Sequence, residues 1–116
     1  MLPRFFILVS VTLLTTSINA FASDRLFSGA ELATQCTSKS DLDFGFCAGY
    51  LTAVADQLTK GPVGEYRACN LDKVRSQQLI DIYVSYADLF PDMTKEPANI
   101  AAAAALARAF PCTTDR

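Results

Sequence analysis

Residues 46–58 read FCAGYLTAVADQL, and their reading decides the fold. Leu51, Val54 and Leu58 recur at intervals of three and four, which predicts one apolar face of an α-helix, with Cys47 near its start. Ser40 is a suitable N-cap for this helix, and Gly61-Pro62 closes it. The small residues Ala48, Gly49, Ala53 and Ala55 predict a close helix-helix approach, which would offset the roughly 1 kcal/mol that Gly49 costs in helix propensity. Tyr50 is expected to bury its ring and find a partner for its hydroxyl.

The same grammar extends in both directions. Ser28 followed by Glu31 fits a capping box, opening a helix that runs to about Thr37. Asn70 reads as the cap of a third helix, with Asp72 in its first turn and a stripe of Leu71, Val74, Leu79, Ile82, Tyr86 and Leu89 ending at Phe90-Pro91. Pro97 suits the first turn of a fourth, PANIAAAAALARAF, which Pro111 ends. The alanine run 101–105 predicts a helix that others can approach closely. No strand pattern competes. The expected class is all-α: a small bundle of about four helices, arranged as two helical hairpins. Leu51, Val54, Leu58, Val74, Leu79, Ile82, Leu106 and Phe110 form the expected core.

Upstream, Arg4, an apolar run from Phe5 to Leu14 and the Ala20-Phe21-Ala22 site follow the order of a cleaved secretory signal, too short to span a bilayer. Residues 1–22 are expected to be the signal peptide, and 23–116 one exported domain with no membrane attachment after cleavage. That part carries nine basic against twelve acidic residues, a net of −3 without a run of one sign, which disfavours nucleic acid and anionic lipid as partners.

All four cysteines, Cys36, Cys47, Cys69 and Cys112, fall in the expected mature part. In an exported chain an even count predicts two disulfides, and three connectivities are open. Antiparallel hairpins favour Cys36–Cys47 and Cys69–Cys112. The rival Cys47–Cys69 bond needs the chain to travel back along the helix by about 16 Å. The cysteines do not cluster and the chain has no histidine, so neither a metal nor a cofactor is expected. Without histidine the commonest general base is missing, and pairs such as Asp41/Asp43 or Asp81/Asp88 read as solvated helix carboxylates; no enzymatic activity is expected.

Taken in order, LATQC, FCAGYLTAVADQL, ACNLDKVRSQQLIDIYVSYADLFPD and AAALARAFPC resemble the Rap/Tai-type immunity proteins of type VI secretion systems over nearly all of the mature chain. The resemblance implies a periplasmic helical protein, homodimeric in several members, that binds and occludes a peptidoglycan amidase effector. The segment best suited to such contact is the connector Lys60, Gly61, Pro62, Val63, Gly64, Glu65, Tyr66 and Arg67: its glycines and proline shape a projecting loop, and Tyr and Arg are enriched at interface hot spots. As a plain helix connector it would need no partner at all. Met93, within 92–96, is a second candidate as an exposed apolar contact; Tyr83 and Tyr86 suit either the core or a dimer seam. The alternative function is a periplasmic acid-stress chaperone-like binding protein, whose opening in acid would act through carboxylates because no histidine is present.

Overall fold

The structure, a computed structural model, describes residues 26–113; the expected signal segment 1–22 lies outside them. The Glu31 amide donates to Ser28 Oγ at 3.2 Å, and the Ser28 amide donates to the Glu31 carboxylate at 2.8 Å. This capping box opens α1, Gly29–Thr37. Two links then hold the short connection to the next helix: Ser38 Oγ donates to Asp43 Oδ2 at 2.7 Å, and the Asp43 amide donates to Ser40 Oγ. Helix α2, Asp41–Lys60, has two acids in its first turn and Lys60 in its last, matching the helix dipole at both ends. Helix α3 is Ser76–Leu89. A 3-10 helix, Pro91–Lys95, leads to α4, Ala98–Ala109, with Pro97 as its N-cap. Among the described residues there is no strand, only two isolated bridges, Ser28 with Pro97 and Val63 with Tyr66.

Helix α4 is the centre of the bundle and packs on α1, α2 and α3. Ala98, Ala101 to Ala105 and Leu106 are all buried, so the helix is enclosed all round from Ala101 to Leu106, while Asn99 near its start is exposed. Along Ala101 to Ala105 only methyl groups separate it from its neighbours, which lets other helices approach closely. Of the described glycines Gly29 makes the tightest approach: a Cβ there would stand 2.8 Å from the Ala101 Cβ and 3.0 Å from the Thr94 backbone. Main-chain bonds fasten the same crossing: the Ala98 amide donates to the Phe27 carbonyl at 2.7 Å and the Gly29 amide to the Glu96 carbonyl at 2.9 Å.

Both favoured disulfides are formed, Cys36–Cys47 between α1 and α2 and Cys69–Cys112 between the loop before α3 and the end of α4, each with Cα atoms 5.0 Å apart. The four helices also stand where the caps and breakers put them, with one exception. Helix α3 starts five residues later than Asn70 predicts. Asn70 has φ 63°, a left-handed conformation that Asn tolerates but that an N-cap does not use. The chain bends there because Cys69 is held to the end of α4, both by its disulfide and by its amide donating to the Phe110 carbonyl at 2.9 Å.

That late start changes the phase of the apolar stripe. Leu71 is buried, but in a turn; within α3 the buried residues are Leu79, Ile80 and Tyr83, while Leu89 is 69% exposed. Leu51, Val54, Leu58, Leu79 and Leu106 are buried as expected, whereas Val74, Ile82 and Phe110 are half-buried. The expected close contact at Gly49 is absent. Gly49 and Ala53 are exposed, and a Cβ on Gly49 would meet nothing within 4 Å, because Cys47, Leu51, Val54, Ala55 and Leu58 occupy the opposite, inward face.

Candidate binding surface

The connector after α2 is built around a two-residue turn. Val63 and Tyr66 exchange both main-chain bonds, at 3.0 and 3.1 Å. Gly64 takes φ 59° at the first central position, where a two-residue hairpin of the II′ kind needs glycine. Its missing side chain also leaves room for Ile100, whose Cδ1 would lie 3.0 Å from an added Cβ. Val63 is buried and Tyr66 half-buried, so these two clamp the turn to the body. Lys60, Pro62, Gly64, Glu65 and Arg67 are exposed, and Gly61 is half-buried. The segment therefore projects less than its composition suggests and is held more firmly. Burial, and then the neighbouring Glu65 carboxylate, push the Tyr66 phenol above its ordinary range, so it stays neutral.

Beside this turn lies a cleft of about 490 Å³ whose lining includes Lys60, Gly61, Arg67, Asn70, Asp72 and the Cys69–Cys112 pair. It brings the two cations of the connector to one rim. A second groove of about 420 Å³ runs between α3 and α4, with Ala105 and Ala109 on one side, Ile82, Tyr86 and Leu89 on the other, and Asp81 and Arg108 at its edges. The Arg108 guanidinium sits 4.8 Å from the centre of the Phe90 ring, a cation-π contact that fixes a cation next to apolar surface. Burial raises the Tyr86 phenol's pKa, and Arg108 opposes that rise.

Met93 is half-buried in the 3-10 helix, so it is not the free apolar contact expected of it; the exposed groups there are Asp92 and Lys95, which pair at 3.2 Å. Tyr83 is fully buried, donating its hydroxyl to the Gly29 carbonyl at 2.6 Å, and is unavailable to a dimer seam. Tyr50 packs with Phe27 and Phe46 and is half-buried; burial raises its phenol, and a bond to the Asn99 backbone partly offsets this.

A surface that the sequence reading passed over is the start of α2. Leu42 is 82% exposed, and Phe44 and Phe46 stand out beside it. The signal was present: apolar residues at 42, 44 and 46 cannot share one face of a helix.

All four cysteines are engaged in disulfides, and among the described residues no group of His, Cys, Asp or Glu is arranged to hold a metal. No described helix is long and apolar enough to cross a membrane. The fold is a small, disulfide-stapled helical module with a main-chain-bonded turn beside one cleft and a second groove between α3 and α4. Residues 28–112 match the Rap1a immunity proteins, and the chain belongs to that family. Membership implies an immunity protein whose partner is a cognate secreted effector. No curated protein and no solved structure gives a significant match.

Proposed function

We propose that the protein is exported through cleavage after Ala22 and acts in the periplasm, where it neutralises a peptidoglycan amidase effector of a type VI secretion system by occluding its active site. The observation that carries this reading is the Val63–Tyr66 turn beside the Lys60/Arg67 cleft, on a chain of the immunity family. A binder that inserts into an enzyme's cleft needs shape and pre-ordered backbone more than chemistry of its own. Here two main-chain bonds, the buried Val63 and the Gly64 conformation order the turn before any partner arrives, which lowers the entropy lost on binding. Pro62, Glu65 and Arg67 then make the contacts, with Tyr66 at their base.

The test mixes oxidised protein, residues 23–116, with amidase effectors encoded nearby or by related strains and measures peptidoglycan hydrolysis. Stoichiometric inhibition is expected, with Arg67→Ala and Pro62→Arg each weakening it at least about tenfold while the helical circular dichroism stays unchanged. Full inhibition by both variants would move the interface elsewhere. Light scattering on the same preparation decides the homodimer expectation.

One observation favours the second reading, a chaperone-like binding protein: Leu42 and Phe46, one turn apart on α2, expose apolar surface of the kind that captures unfolded clients. Absence of effector binding, together with suppression of client aggregation in acid, would select it.

A further inference from the structure

The two disulfides differ in their access to solvent. Cys36 and Cys47 are 6% and 0% exposed and lie in the core cluster with Leu32 and Leu51. Cys112 is exposed and Cys69 half-buried, and the pair lines the cleft of about 490 Å³ whose rim carries Lys60 and Arg67. Exchange requires a thiolate to reach one sulfur in line with the bond, so access governs the rate.

We infer that Cys69–Cys112 is a thiol-disulfide exchange site, open to a dithiol reductant in the folded protein, while Cys36–Cys47 is closed to it. A thiolate of the dithiol attacks Cys112 Sγ; a bond forms to the reductant's sulfur as the Cys69–Cys112 bond breaks, and the electron pair leaves on Cys69 Sγ, which takes a proton from solvent. The second thiol of the reductant then attacks its own sulfur in the mixed disulfide and expels Cys112 as a thiolate, which is protonated in turn. The protein is reduced to two thiols and the dithiol is oxidised to a disulfide. The reaction removes the covalent link between the segment carrying Cys69, next to the Lys60–Arg67 turn, and the end of α4, where the Cys69 amide to Phe110 carbonyl hydrogen bond remains, and it leaves the α1–α2 staple in place. This inference does not depend on the identity of the effector.

The experiment treats oxidised residues 23–116 with dithiothreitol in native buffer, traps thiols with N-ethylmaleimide at intervals, and locates the label by peptide mass spectrometry. Initial labelling of Cys69 and Cys112 is expected to be at least about tenfold faster than that of Cys36 and Cys47, because the buried pair reacts only through opening of the fold. In concentrated guanidinium chloride the two rates should converge. Equal rates in native buffer, or earlier labelling of Cys36 and Cys47, would overturn the assignment. So would a tenfold difference that persists in denaturant, since protection would then not come from the fold.

Discussion

Tyr83 joins three parts of the molecule through one hydroxyl. Its ring is fully buried in α3, its hydroxyl donates to the Gly29 carbonyl, and Gly29 lies against α4 at Ala101. Burial, with smaller contributions from Tyr50 and Tyr86, raises the phenol far above its ordinary value of 10.0. The folded protein therefore keeps this proton where the unfolded chain has lost it. Its contribution to stability is complete below the ordinary phenol pKa and declines as the pH rises above it. Urea unfolding at about pH 8 and about pH 11 should show this decline. Tyr83→Phe should cost about 1 kcal/mol at the lower pH through the lost hydrogen bond, and should make the decline shallower. An unchanged pH slope would assign the alkaline loss to other groups. Gly29→Ala is expected to be more damaging, by about 2 to 3 kcal/mol, because its methyl meets the backbone of Thr94 as well as the Ala101 methyl. Urea titration checks it.

The helices were legible to different degrees, for reasons that their particular residues show. Helix α1 is written in its capping box, and α4 in Pro97 and the alanines that follow; both signals act within a few residues of themselves. For α3 the local signal misleads. Asn70 has the composition of a cap, but the Cys69–Cys112 bond and the bond from the Cys69 amide to Phe110 set the chain's direction there, and the helix waits until Ser76. At its start the Arg75 amide donates to Gln78 Oε1 at 3.0 Å. For the alanine helix, enlarging a side chain at the centre should be costly: Ala102→Leu is expected to lose about 1 to 3 kcal/mol, or more if the helices cannot separate, measured by chemical denaturation. For the staples, replacing Cys69 and Cys112 together by serine should cost about 4 kcal/mol by the loop-entropy argument for a separation of 43 residues. A thermal or denaturant midpoint equal to that of the parent would show that the closed loop constrains the unfolded chain far less than this.

Taken whole, the molecule keeps its charges outside. No charged side chain among the described residues is buried, and the Asp92–Lys95 pair lies in water, where it contributes little. Acid then has no buried carboxylate among the described residues through which to open the fold. Helical circular dichroism should persist at about pH 4, with stability within about 1 kcal/mol of its neutral value. A cooperative loss of helix there would support the acid-chaperone reading instead. The Val63–Tyr66 turn shows the same division between composition and placement. Gly64, Tyr66 and Arg67 announce a loop with interface residue types, yet the clamping of Val63 and Tyr66 and the cleft beside Lys60 come from contacts with α4 and the chain's distant end. From sequence one reads four helices, their caps and breakers apart from the start of α3, the even set of cysteines and the family resemblance, because each rests on neighbours along the chain or on ordered motifs. The third dimension alone decided that Gly29 rather than Gly49 makes the close approach, that Ile80 and Tyr83 rather than Leu89 face the core, and that one disulfide is sheltered while the other borders the cleft. Those outcomes depend on which surfaces meet, and meeting is settled by packing between residues far apart in the chain.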